Sequence, residues 1–298
     1  MVTRERNTIE RKGSSLIATD RESGEALRRS LEHLRFEVIP IKGVEEQVAY
    51  LPAGSKVTVT CSPTRGIEHT LGVAEKLAMR GMTIVPHIAA RLVRDEAHLR
   101  DLLQHLSALR FREVFVIGGD AKEPVGRFSG ALQLLRAMAE IGHDIETIGV
   151  PAYPERHPLM DDATVRQALR DKQMYAGYMV TQICFDPSTI VTWLVQARGE
   201  GIHLPVYIGI PGNIDMQRLL RISMKIGVGD SLRFASKHTN IAARLLRNSS
   251  YRPDEIIEHL GPYLSNPAYG VAGLHLNTFN AVDSSEQWRH CMLQDLGA

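Results

Sequence analysis

The chain has 298 residues, 44% apolar and 23% charged, with 35 Lys and Arg against 34 Asp and Glu for a net charge of +1. That balance excludes an electrostatic drive toward nucleic acid or an anionic membrane surface, and no apolar run approaches the ~20 residues needed to span a bilayer. Cys61, Cys184 and Cys291 lie far apart with no C-x-x-C spacing. They read as reduced thiols of a cytoplasmic protein, not as a disulfide framework or a structural zinc site.

In chain order, residues 1–20 form a polar N-terminal segment, and Met1 to Ser15 lack the apolar stretch of a signal peptide. A helical pattern over 23–34 follows. Short β-rich runs then alternate with amphipathic stretches. Strands are predicted near 35–41, 56–61, 83–88, 113–120, 147–154, 178–185, 205–211 and 273–280. Most are nearly continuous apolar runs, as parallel strands covered on both faces require. Between them, Leu99, Leu102, Leu103 and Leu106 keep a helical period. Asp186-Pro187 reads as an N-cap and first-turn proline of a helix burying Ile190, Val191 and Leu194. Strict strand–helix alternation predicts an α/β fold, a (β/α)8 TIM barrel formed by residues 1–298 as a single catalytic domain. The long interval 212–272 predicts extra helices before the eighth strand.

In such barrels chemistry sits at the C-terminal strand ends, and here those ends carry polar residues. Glu37 lies inside the first strand, Thr60 ends the second, His87 the third, Asp120 the fourth and Tyr153 the fifth. Gln182 sits in the sixth, and Asn280 ends the eighth. Each has a plain structural explanation: an ion pair for Glu37, a turn for Asp120, a satisfied core histidine for His87. Their joint placement points instead to one shared pocket. The 12 histidines show no H-x-x-x-H spacing or His/Asp cluster, so no metal is expected. Lys42 reads as solvated surface, and Trp193 and Trp288 as packing residues.

These residues also carry a resemblance. Ala152-Tyr153-Pro154-Glu155-Arg156-His157-Pro158 matches A-Y-P-E-x-H-P, and Thr181-Gln182-Ile183-Cys184-Phe185-Asp186 resembles T-Q-x-x-F-D. Phe36-Glu37-Val38-Ile39-Pro40 resembles F-E-F-F-P, Pro86-His87 matches P-H, Gly119-Asp120 the end of L-R-G-D, and Leu169-Arg170-Asp171-Lys172 resembles L-K-x-K. In order, spacing and strand placement the chain resembles the methylenetetrahydrofolate reductase family over roughly residues 31–290. The resemblance implies reduction of 5,10-methylenetetrahydrofolate by NADH or NADPH to 5-methyltetrahydrofolate. Glu37, held protonated by desolvation in an apolar strand, would be the general acid that opens the methylene-bridged ring. Asp120 would balance the iminium charge and, with Gln182 and Gln217, hold the pterin. Thr60, His87, Gly119, Tyr153, His157 and Lys172 match positions of the family's flavin site.

The chain also departs from the family. The L-R-G-D arginine is absent in Ile117-Gly118-Gly119-Asp120, and the segment that gives Tyr-Ala contacts to the flavin nucleotide reads Phe128-Ser129-Gly130. The loop after strand two is short, and T-L-N-R reads Thr278-Phe279-Asn280-Ala281. A lost arginine removes a charge-assisted anchor worth about 1.5–3 kcal/mol. These departures put FAD, the family cofactor, in doubt and predict an enzyme that works without tightly bound flavin. Gly227-Val228-Gly229-Asp230-Ser231 reads as a glycine turn, or as a backbone nest for a pyrophosphate. Two rivals stay open: a non-catalytic folate-binding barrel, and another flavin-dependent barrel oxidoreductase.

Overall fold

The computed structural model describes residues 21–155, 157, 160–215, 217–219, 221 and 250–297. Eight parallel strands close into a barrel in the order β1 (Arg35–Val38), β2 (Lys56–Val59), β3 (Thr83–Ala89), β4 (Glu113–Ile117), β5 (Thr147–Ala152), β6 (Tyr178–Thr181), β7 (Val206–Pro211) and β10 (Val271–Asn277), which returns to β1. All eight predicted runs are strands, several shorter at their C-terminal end than the apolar pattern suggests. β4, for instance, stops at Ile117, because Gly119 turns the chain with φ at 92°.

Helices α1 (Arg21–Glu32), α2 (Val44–Val48), α3 (Gly66–Met79), α4 (Glu96–Ala108), α5 (Ala131–Ile141), α6 (Asp162–Lys172), α7 (Pro187–Gly199), α8 (Asp254–Ser265) and α9 (Val282–Asp295) surround the ring. Their starts follow from short polar caps. Asp95 accepts from the His98 N–H at 2.8 Å, Asp161 from that of Thr164 at 2.9 Å and Asp186 from that of Ser188 at 2.9 Å. Leu99, Leu102, Leu103 and Leu106 of α4 are buried, as are Ile190 and Leu194 of α7, while Val191 is partly exposed. Trp193 and Trp288 are buried packing residues.

In the interval before the last barrel strand the structure differs from the expectation. A short antiparallel pair, β8 (Ile214–Asp215) and β9 (Ser250–Tyr251), precedes α8. A two-residue pairing leaves too little pattern to read from sequence. The Gly227–Ser231 segment lies outside the described residues.

Pleating sorts side chains into two apolar regions. Val57, Val59, Val114, Val116, Ile208, Ile210, Leu274 and Leu276 belong to the layer between strands and helices. Val85, Phe115, Tyr178 and Val180 form a separate cluster in the lumen. Gly149 makes room for it, since a Cβ there would stand 2.3 Å from the Tyr178 ring. The N-terminal end of the lumen is closed by charge. Arg35 stacks over the rings of Tyr178 and Tyr207 at 4.4 and 3.9 Å and pairs with Glu113, which also pairs with Lys56 at 2.6 Å.

Candidate active site

Arg35 and Glu37 are two residues apart on β1, so both side chains enter the lumen. Arg35 serves its closed end, and Glu37 stands one layer higher. In register, Glu37 lies beside Thr58 of β2 and Asn277 of β10. Its Oε2 is 3.1 Å from Nε2 of His275 and 3.7 Å from Nε2 of His87. Its backbone oxygen accepts from both N and Oγ1 of Thr278, at 3.2 and 2.7 Å.

This arrangement corrects the expected protonation state. Burial does push the Glu37 carboxyl up, but the hydrogen bond and charge of His275, with a smaller contribution from His87, outweigh it. The net shift is downward, so in the free protein Glu37 is a carboxylate rather than an acid held neutral by desolvation. His87 is the opposite case. Burial pushes its imidazole down to about 4, so it is neutral near pH 7, and its ring packs on Phe115 at 4.8 Å.

A second group gathers at the strand ends. The rings of Tyr153 and His157 meet edge to face at 4.7 Å. Burial, then the charge of Asp120, raises the Tyr153 hydroxyl to about 12. Burial lowers the His157 imidazole, opposed by Asp120 and aided by Lys172. Asp120, Tyr153, His157 and Lys172 therefore act on one another across the ends of β4, β5 and α6. Burial lowers the Lys172 amine to about 8, and its Nζ reaches the Pro151 carbonyl at 3.4 Å. Asp120 itself is exposed. Gly119 before it has no room for a side chain, since a Cβ would stand 3.0 Å from that of Ala89.

The remaining candidates fall less simply. Gln182 follows β6, but its Oε1 accepts from the Ile183 N–H at 2.9 Å, so its amide NH2 is the end left to meet a ligand. Thr60 is partly buried just past β2. Gln217 is exposed in the helical run after β8, six residues past the end of β7. Asn280 is not a pocket residue. Its amide donates to Ile39 O and accepts from Ile39 N, both at 2.8 Å, tying the chain after β10 to the end of β1. Lys42 is exposed, as expected.

Sequence reasoning missed His275 and Arg91. The signal for His275 was present: in Leu274-His275-Leu276-Asn277 the alternation sends His275 and Asn277 to the face opposite the two leucines. Arg91, just after β3, donates to the carbonyls of Ala121, Lys122 and Ser129, binding the loop after β4. No sequence pattern announces that role. Phe128 in the same stretch is buried in the core. The two motifs carrying Glu155 and Cys184 also meet: burial, then the neighbouring Glu155, pushes the Cys184 thiol well up. Among the described residues, no group of three or more metal-ligating side chains occurs, and no helix is long and apolar enough to cross a membrane.

A closed ring of eight parallel strands, with polar side chains gathered at their C-terminal ends and in the lumen beneath, defines a (β/α)8-barrel protein. A family model for methylenetetrahydrofolate reductase matches residues 41–289, and the chain belongs to that family. Over 89 residues it is 30% identical to methylenetetrahydrofolate reductase 2 of Saccharomyces cerevisiae, covering 28% of this chain and 15% of that protein. Over 93 residues it is 29% identical to methylenetetrahydrofolate reductase 1 of Schizosaccharomyces pombe, covering 30% of this chain and 15% of that protein. The matched stretch thus spans about 15% of the length of these curated relatives.

Proposed function

We propose that the protein reduces 5,10-methylenetetrahydrofolate to 5-methyltetrahydrofolate with a hydride taken directly from NADH or NADPH, without a resident flavin. The observation that carries the reading is Glu37, a carboxyl in the barrel lumen with an imidazole on its Oε2. Among the described residues Arg35 and Lys56 are both committed to Glu113, so Glu37 is left facing the two imidazoles.

The chemistry assigns the residue roles. A proton given by Glu37 to N10 breaks the bond between N10 and the methylene carbon and leaves an iminium on N5. Hydride then adds to that carbon, so each turnover consumes one proton and one reduced nicotinamide. Asp120, exposed at the end of β4, faces the developing cation with its negative charge. The Gln182 amide NH2 donates to the pterin edge, and Gln217 is a second pterin contact. Thr60, His87, Gly119, Tyr153, His157 and Lys172 line the place of the hydride donor.

FAD fits these residues poorly. Gly118 stands where the family has an arginine, and Phe128 is packed into the core. The guanidinium of Arg91 is spent on three carbonyls of the same loop. These features favour a nicotinamide seated in the cleft itself. The test is the visible spectrum of the pure protein together with NAD(P)H consumption. A colourless protein that oxidises NAD(P)H in proportion to added methylenetetrahydrofolate is expected. A protein that binds the folate and oxidises nothing contradicts the reductase reading, and one carrying stoichiometric FAD contradicts the direct transfer.

A further inference from the structure

A proton donor that rests as a carboxylate must be loaded before it can act, so whatever holds its proton affinity down is part of the machinery. The neighbours of Glu37 can be taken element by element among the described residues. From β10, His275 is 2% exposed and offers Nε2 to Oε2 at 3.1 Å. From β3, His87 brings Nε2 only to 3.7 Å, beyond a hydrogen bond. From β2, Thr58 is neutral, and its hydroxyl is buried without a partner. Asn277, also on β10, spends its amide on the Ile210 carbonyl at 3.5 Å. The two imidazoles are thus the titratable groups facing the carboxyl, and one of them touches it.

We propose that His275 is the positioning residue for Glu37: its Nε2–H holds Oε2 in the lumen and so governs when that carboxyl takes up the proton destined for the substrate. Among the described residues Oε2 is the one hydrogen-bond partner of the ring, since Nδ1 is buried without one. The rest of the environment pulls the other way. Burial favours the neutral carboxyl, and a bound pterin over the strand ends would deepen that burial. The free protein therefore keeps Glu37 ionised through His275, and covering the site tips it toward the acid form. The proton passes from solvent to Oε2, then from Oε2 to N10 as the bond from N10 to the methylene carbon breaks. His275 stays out of the bond-making.

This inference rests on Glu37 being the proton donor of the proposed reaction, and the test separates the two. Its first arm needs no turnover. Ligand-free protein labelled with ¹³C-carboxyl glutamate is titrated by difference infrared spectroscopy, with Glu37→Gln as the subtraction reference. In wild type the Glu37 midpoint should lie below that of an ordinary glutamate. In His275→Leu, where burial acts alone, it should rise by about one pH unit or more. In His275→Gln, which keeps an N–H donor, it should fall between. Should the Leu protein not fold, the Gln protein carries the comparison. The second arm follows kcat/KM against pH. The acid form is the active one, so activity falls as pH rises through the Glu37 midpoint, and this limb should move upward with the midpoint in each variant. An unmoved midpoint, or a moved midpoint with an unmoved limb, overturns the role of His275. A midpoint that moves in the variants, while the wild-type protein turns over no folate, supports the coupling and overturns the reaction instead.

Discussion

Glu37→Gln keeps the size of the side chain and removes its titrating proton. It should preserve folate binding and reduce turnover by about 10²–10⁴-fold, the usual worth of general acid catalysis; single-turnover rates beside folate calorimetry check it. Asp120→Asn should weaken folate binding and slow reduction, because an amide balances no cation and presents one acceptor oxygen; calorimetry with unchanged affinity contradicts the assignment. The Lys172 amine, lowered to about 8, loses its charge as pH rises through that value. If it holds the anionic part of NAD(P)H, KM for the nucleotide should climb above about pH 8 in wild type and stay flat in Lys172→Gln. At this scale the sequence was informative about which residues matter and less so about their state. The motif residues Tyr153, His157, Asp120 and Lys172 do gather at the strand ends. The surroundings of Glu37 were unreadable, because the imidazole against it belongs to His275, 238 positions along the chain, and only barrel closure brings β10 beside β1. Asn280 misled for a related reason. A polar residue at a strand end can serve the neighbouring backbone as readily as a ligand.

Strands and helices were the most legible features, since each is written in a few consecutive residues. Apolar runs located all eight barrel strands, and the Asp186-Pro187 cap sets the start of α7. Loops are another matter, because their conformation depends on partners remote in sequence. The segment 119–129 is held by Arg91, through three side-chain hydrogen bonds and a further bond from the Val125 N–H to the Arg91 carbonyl at 2.9 Å. Charge-assisted hydrogen bonds contribute about 1.5–3 kcal/mol each, so removing the guanidinium should free this loop selectively. In Arg91→Ala, amide exchange over 119–129 should accelerate by at least about tenfold while the barrel strands keep their protection. Hydrogen exchange read by mass spectrometry checks this. Uniform acceleration across the barrel would show that Arg91 supports the fold rather than the loop.

The molecule as a whole is a barrel whose lumen carries charge at two levels. The lower level closes the core, and the upper level holds the candidate site. At the lower level Glu113 compensates Arg35 and Lys56; burial, the largest single effect, pushes its carboxyl up, but their charges and hydrogen bonds together outweigh it and hold the carboxyl below the usual range. A depressed carboxyl stabilises the fold above its unfolded value near 4.5. That stability is lost as pH falls through the lower, folded value. Glu113→Gln should therefore destabilise the protein by about 3–5 kcal/mol near neutral pH by leaving Arg35 buried and unpaired, with the difference shrinking in acid. Urea unfolding at several pH values measures it. The upper level bears the central claim, that hydride passes directly from nicotinamide to the folate carbon. The decisive measurement incubates the pure protein with methylenetetrahydrofolate and NADH carrying deuterium at both C4 positions, and weighs the product by mass spectrometry. Direct transfer predicts one deuterium in the methyl group of every 5-methyltetrahydrofolate formed. A methyl group that has taken its hydrogen from solvent, as exchange on a reduced flavin would give, contradicts it.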